Sequence, residues 1–119
     1  MRYIDGFVVP VPKKNLKAYC AMSKQCGKIW REYGALVYRE CAGDDLTMPV
    51  GIAFPKMLKL KKGEVPVFAY IEYKSRAHRD KVNKAVMKDP RMGTMMQNKE
   101  MPFDCRRMVW GGFRGIVEA

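Results

Sequence analysis

Histidine is almost missing from this chain of 119 residues, in which His78 is the single example. A catalytic group of the Cys–His or Ser–His–Asp type would therefore have to use that residue. His78 is followed at helical spacing by Val82, Ala85 and Val86, so it lies beside an apolar stripe near the start of a predicted helix. This pattern is more typical of a half-buried structural histidine, although a general acid or base at His78 stays open.

The four cysteines form no CxxC pair, and no Cys/His cluster has zinc-like spacing. Cys20 and Cys26 fall on one predicted helix, about 9 Å apart along its axis, which is too far for a disulfide. We therefore expect reduced, mostly buried thiols and a cytoplasmic location. We expect neither a metal nor a cofactor.

Long apolar runs are also missing. None approaches the roughly 20 residues that a membrane-spanning helix needs, and the first residues lack the apolar stretch of a signal peptide. Hydrophobic residues nevertheless make up 48% of the chain, enough for a packed core. This length predicts a single domain over residues 1–119 with no membrane partner.

Acidic residues are scarce, 12 against 23 Lys and Arg, which gives a net charge of +11. The excess lies mainly in residues 1–34 and 65–89, which contain the two long predicted helices. A solvated outer face explains this excess. A surface that binds nucleic acid or another polyanion is the functional alternative.

The order of predicted elements is β-α-β-β-α-β, the ferredoxin-like arrangement. The predicted strands cover residues 3–9, 35–41, 65–73 and 106–113. Helices are predicted at 13–33, closed by Gly34, and at 76–88, capped by Ser75. Met92, Met95 and Met96 predict a further helical turn, and part of 46–64, around 54–60, is predicted to extend a hairpin.

Strand 65–73 is apolar on both sides. Val67, Ala69, Ile71 and Tyr73 alternate with Phe68, Tyr70 and Glu72. Since both helices of this fold lie on one face of the sheet, we expect a second subunit or a ligand to cover the other face.

Residues 68–73 resemble the aromatic signature of RNA-recognition motifs, whose element order is the same. Pro66 and Val67 stand where that signature has a basic residue and a glycine. The resemblance implies a basic nucleic-acid-binding module, and we keep it as the alternative function.

A second resemblance covers almost the whole chain and depends on separated motifs in a fixed order. They are residues 3–8 with Pro12, 34–35, 40–41, 43–45, 68–73 with Ser75, Arg79 and Asp80, 86–87, 89–92, 101–104, 107–108 and 111–113. In these motifs the chain is similar to the YbaA-like family, a domain of unknown function related to dimeric α/β barrels.

The family resemblance implies an α+β, ferredoxin-like homodimer in which two four-stranded sheets face each other. It implies no established reaction. Relatives by fold include cofactor-independent monooxygenases, and that chemistry would come to this chain by fold analogy alone.

Several polar and aromatic residues could form a small-molecule pocket between helices and sheet. Asp5 and Glu40 are acidic residues inside apolar strands, so each is a candidate base, or else pairs with Arg107 in a structural network. The candidate ligand-binding residues are Tyr3, Trp30, Tyr38, Asp44, Asp45, Arg107 and Trp110. Asp44 and Asp45 could instead cap a turn.

Overall fold

A computed structural model describes residues 1–96 and 101–119 of the chain. The strands are β1 (Tyr3–Pro12), β2 (Val37–Ala42), β3 (Glu64–Tyr73) and β4 (Val109–Arg114). The helices are α1 (Leu16–Glu32), α2 (Phe54–Met57), α3 (Arg76–Lys88) and α4 (Pro90–Met96). Two short 3-10 turns, Lys13–Asn15 and Cys105–Arg107, precede α1 and β4.

The four strands form one antiparallel sheet in the order β2-β3-β1-β4. This is the strand order of the ferredoxin-like fold, so the predicted α+β class and β-α-β-β-α-β frame are confirmed. Phe7 lies opposite Ala69 on one side and Trp110 on the other. Directly opposite residues point to the same face, so this register decides which side chains meet the helices.

Strand β1 continues through Pro10 to Pro12, three residues beyond its predicted end at residue 9. Pro10 is paired with Pro66 of β3. Strand β4 pairs with β1 only as far as Val8, so beyond that residue β1 is an edge strand. A proline, which lacks an N–H, is tolerated in an edge strand.

The chain between β2 and β3 differs from the prediction. Residues Phe54–Met57 form the short helix α2, so the hairpin extension expected around 54–60 is wrong. Pro55 lies in the first turn of α2, where a backbone N–H has no helical partner and proline is favoured.

The ends of the two long helices agree closely with prediction. The Ser75 hydroxyl accepts a hydrogen bond of 3.1 Å from the N–H of His78 and caps α3. Gly34 follows α1 with a φ of +112°, a conformation that side-chain-bearing residues rarely adopt. These caps fix the start of α3 and the end of α1.

Both helices and the core lie on one face of the sheet. Val67, Ala69, Ile71 and Tyr73 of β3 are buried there, as the alternation predicted. The molecule measures 40 × 38 × 19 Å, so it is a slab with one sheet layer and one helical layer. The opposite sheet face carries Phe68, Val109 and Phe113, which are 47%, 53% and 62% exposed.

Candidate functional site

A cavity of about 520 Å³ lies between the sheet and the helical layer. Its floor consists of two neighbouring rows of side chains across the sheet. One row runs Glu40, Ala69, Phe7, Trp110, and the next runs Tyr38, Ile71, Asp5, Gly112. The small side chain of Ala69, at the centre of this floor, leaves space above the sheet.

The walls of the cavity are apolar and rich in methionine. They are Tyr19, Met22, Ser23, Cys26 and Trp30 from α1, Asn83 and Met87 from α3, Met92 and Met95 from α4, and Met101, Phe103 and Met108 near β4. Methionine side chains are flexible and polarizable, so such walls adapt to ligands of different shapes.

Glu40 is the centre of a hydroxyl cluster on one side of the cavity. The Tyr19 hydroxyl donates to Oε1 of Glu40, and the Tyr38 hydroxyl donates to Oε2 at 3.2 Å. The hydroxyls of Ser23 and Tyr38 are 3.1 Å apart and share a hydrogen bond. A second, more open cavity of about 280 Å³ reaches the same four side chains from the outside, between α1 and β2.

The protonation state of this cluster follows from its burial. Loss of water around Glu40 raises the pKa of its carboxyl above the ordinary value, although the two tyrosine hydroxyls oppose that rise. Burial and the neighbouring carboxyl also raise the pKa of both tyrosines, so the phenols stay protonated donors. Glu40 can therefore gain and lose a proton while its neighbours hold theirs.

Asp5 lies at the opposite end of the cavity floor and is 1% exposed. Its carboxylate accepts from Nε of Arg79 at 3.1 Å and from Nδ2 of Asn83 at 3.3 Å. Oδ1 of Asn83 accepts in turn from the Trp30 indole at 3.0 Å and from the Tyr73 hydroxyl at 2.9 Å. This network neutralises the buried charge and joins β1, β3, α1 and α3.

The expected pairing of Asp5 or Glu40 with Arg107 is wrong. Arg107 donates to both carboxylate oxygens of Glu64, at 2.6 and 3.0 Å, beside the turn that precedes β4. Arg79, on α3, is the partner of Asp5 because the first turn of α3 passes over the end of β1. A sequence pattern does not specify which basic residue the fold brings to a given carboxylate.

The other candidates lie at different distances from the cavity. Trp30, Tyr38 and Trp110 line it, and Trp110 stacks on Phe7 with ring centroids 5.9 Å apart. The remaining candidates are absent from its lining. Tyr3 packs against Arg79, His78 accepts from the N–H of Lys74 at Nδ1, and Asp44 and Asp45 are exposed in the loop after β2.

The thiols are less buried than expected. Cys20, Cys41 and Cys105 are exposed, and only Cys26 is half-buried, on the cavity wall. The apolar pattern of the first helix predicts an inward position for both Cys20 and Cys26, which is wrong for Cys20, and the sequence does not show that residues 41 and 105 lie on outward positions.

Within residues 1–96 and 101–119, no helix is long and apolar enough to cross a membrane. In the same part of the chain, no three His, Cys, Asp or Glu side chains are grouped as metal ligands.

Comparison with known proteins gives a family without an assigned activity. A model described as "Protein of unknown function (DUF1428)" matches residues 2–105. The uncharacterized protein YbaA of Escherichia coli strain K12 is 39% identical over 118 residues, 99% of each chain. YbaA of Shigella flexneri matches equally well. This chain belongs to the DUF1428 family.

The DUF1428 chain also resembles a solved structure described as a dimeric ferredoxin-like protein from an uncultured marine organism. That likeness has a TM-score of 0.59 at 12% identity and covers both chains completely. At this identity it establishes the fold and nothing further about activity. It agrees with the ferredoxin-like class predicted from the sequence.

Some site residues of this DUF1428 member were missed at the sequence level. Tyr19 and Ser23 recur at helical spacing among the apolar residues of α1, a pattern that predicts a core-facing position and no role beside a ligand. Two hydroxyl groups within an otherwise apolar stripe are a usable signal, because buried hydroxyls need a partner. No sequence pattern marks Asn83 as a site residue, because its hydrogen-bond partners come from three other elements.

Proposed function

We propose that this DUF1428 protein binds a small molecule in the cavity between its helices and its sheet. The observation that carries the proposal is the apolar cavity of about 520 Å³ with a hydroxyl-bound carboxyl, Glu40, in its wall. Ligand sites typically have about 300–1,000 Å³, apolar walls and a few fixed polar groups. Well-packed cores, in contrast, contain few voids larger than a water molecule.

A cavity-filling variant tests this proposal. Cys26→Trp places an indole in the cavity from α1, whereas Cys105→Trp adds the same group at an exposed position. The neutral dye N-phenylnaphthylamine, which fluoresces in apolar surroundings, is the probe. We expect saturable dye binding by the wild type and by Cys105→Trp, and loss of binding by Cys26→Trp.

Equal dye binding by Cys26→Trp and Cys105→Trp would place the ligand elsewhere and contradict the proposal. Far-ultraviolet circular dichroism of both variants checks that they are folded.

We also propose that the uncovered sheet face pairs with a second copy of the chain. Phe68 and Val109 lie on either side of Val8 on that face, and Phe113 lies opposite Ile4, so the apolar surface is continuous across three strands. Patches of this kind on soluble proteins mark interaction sites. The ferredoxin-like structural neighbour is itself described as dimeric, which supports the proposal.

Light scattering in solution distinguishes the homodimer from the nucleic-acid alternative. The homodimer predicts a mass twice that of the 13.7 kDa chain. A mass of one chain, with RNA binding at low salt that Phe68→Ala removes, would favour an RNA-binding sheet face.

A further inference from the structure

Glu40 differs in its partners from Asp5, the other acidic residue of the described cavity lining, and from four acidic residues elsewhere in the fold. Among the described residues, the acidic groups Asp5, Glu32, Glu64, Asp89 and Asp104 all form ion pairs with arginine. In the same part of the chain no basic side chain reaches Glu40, whose hydrogen bonds come from tyrosine hydroxyls. In a protein of charge +11, the cavity carboxyl thus has no cationic partner within those residues.

The carboxyl of Glu40 has acceptor capacity left for a ligand. An ionised carboxylate offers about four lone-pair sites, and the two tyrosines occupy one on each oxygen. Tyr19 and Tyr38 also fix the orientation of the carboxyl, since they hold it from α1 and from β2. A group that donates N–H bonds from within either cavity would complete its coordination.

The surroundings of Glu40 disfavour an anionic ligand. Arg39 is the one basic residue among the described lining of the larger cavity. Its guanidinium donates to the Tyr70 hydroxyl and lies 5.7 Å from the Tyr70 ring, on the opposite sheet face. Within the larger cavity, a ligand carboxylate or phosphate would therefore meet Glu40 with no compensating cation from the described lining, since Lys24 lines the outer cavity alone.

The aromatic walls suit a positively charged group with an apolar body. The rings of Trp30 and Tyr38 lie 6.0 Å apart in the cavity wall, and the hydroxyl of Tyr38 reaches Glu40. Aromatic faces attract ammonium groups, most strongly where water is excluded. Phe103 and the methionines supply apolar contact for the rest of the ligand.

We propose that the cavity selects an organic amine with an apolar or aromatic body, whose ammonium group donates to Glu40. This inference rests on the proposed function, because it assigns a ligand class to the same cavity. The apolar walls would bind the body whatever its charge, and Glu40 would supply the discrimination between cation, neutral molecule and anion.

Three probes of one shape separate these contributions. Naphthylethylamine, naphthylethanol and naphthylpropanoate share the aromatic body and differ in the charge of the terminal group. Isothermal titration at neutral pH is expected to rank the amine first and the carboxylate last. Glu40→Gln is expected to weaken amine binding about tenfold, the scale of a hydrogen bond to a charged group, and to leave the alcohol unchanged.

A second measurement on the wild type does not depend on the folding of a variant. The ratio of amine to alcohol affinity should rise as pH increases through the ionisation of Glu40. The groups that face this carboxyl are Tyr19 and Cys26 from α1 and Tyr38 from β2, and burial raises the pKa of all three. Lys24 lines the outer cavity and is the cationic group on that side.

Two results overturn the inference, and they differ from failure of the proposed function. The amine class is wrong if the carboxylate probe binds as tightly as the amine. It is equally wrong if Glu40→Gln keeps the amine preference. In both cases the alcohol still binds, and the cavity remains a ligand site. If none of the three probes binds, both the proposed ligand site and the proposed amine class are wrong.

Discussion

At the residue scale, two carboxyls of similar sequence context have different surroundings. Asp5 and Glu40 both interrupt apolar strands and were both candidate bases. Asp5 is enclosed by Arg79 and Asn83 at one end of the cavity floor, while Glu40 is held by hydroxyls at the other. The first arrangement neutralises a charge, and the second leaves a carboxyl able to titrate and to accept a ligand.

Removing the Asp5 carboxylate should lower the stability of the folded protein. Asp5→Ala leaves Arg79 and Asn83 without their buried acceptor, and we expect it to lower the free energy of unfolding by about 3 kcal/mol. Asp80→Ala is the matched control, because Asp80 contacts the same arginine at 2.7 Å but its side chain is 56% exposed. The control substitution should lower the free energy of unfolding by less than about 1 kcal/mol. Urea unfolding measures both, and equal losses would contradict a structural role for the Asp5 network.

Glu40→Gln should change how stability depends on pH. The pKa of Glu40 is raised above its ordinary value of 4.5, so the folded state holds this proton more tightly than the unfolded state. The wild type therefore loses stability as pH rises from about 4.5 through the folded pKa, and the glutamine variant does not.

The Tm of Glu40→Gln relative to wild type should accordingly increase between about pH 4 and pH 7. Calorimetry over this range measures the difference. Glu118→Gln, in the exposed C-terminal segment, is the control for removal of one negative charge. A Tm difference that falls as pH rises would contradict the desolvated environment assigned to Glu40.

At the element scale, the cavity depends on how closely α1 approaches the sheet. A Cβ added at Gly27 would lie 2.6 Å from Cδ1 of Tyr38, so the glycine lets the helix rest against the tyrosine ring. This contact holds Tyr38 where its hydroxyl reaches Ser23 and Glu40.

Two glycine-to-alanine variants in helices test this contact. Gly27→Ala should lower stability by about 1–3 kcal/mol through overpacking against Tyr38. In Gly93→Ala, on α4, the added methyl meets no atom within 4 Å. That variant should gain about 0.5–1 kcal/mol from helix propensity. Thermal unfolding distinguishes them, and stabilisation by both substitutions would contradict the close packing of α1 on β2.

Much of the element level could be predicted from the sequence, because its signals are local. Apolar alternation in β3, the Ser75 cap and the Gly34 turn each involve residues close together in the chain. The cavity could be predicted only in part. Trp30 and Tyr38 follow from apolar patterning, but the contact between Asp5 and Arg79 joins residues 74 positions apart. Such contacts depend on the register of the sheet and on the packing of helices across it.

At the scale of the whole molecule, the net charge and the open sheet face have separate consequences. Most of the positive charge of the long helices is on the side opposite Phe68 and Phe113. The slab shape leaves one sheet face for the second subunit that we propose, in line with the expectation from the two-sided apolar strand 65–73.

Negative charge on the uncovered sheet face should separate the two copies of the chain. Phe68→Asp together with Phe113→Asp is expected to convert the homodimer to a monomer, because burying unpaired carboxylates between two sheets is unfavourable. Met87→Asp, which changes an exposed apolar residue of the helical layer, should leave the dimer intact. Light scattering of the variants measures the mass. An unchanged dimer in the double variant would place the interface elsewhere.

If the cavity holds a ligand, binding should protect Cys26 from chemical modification. In a variant with Cys20, Cys41 and Cys105 replaced by serine, the one remaining thiol lies on the cavity wall. Alkylation by N-ethylmaleimide is followed by mass spectrometry with and without naphthylethanol. At ten times the Kd, an occupied cavity should slow Cys26 labelling about tenfold. An unchanged labelling rate at that saturation would contradict the account.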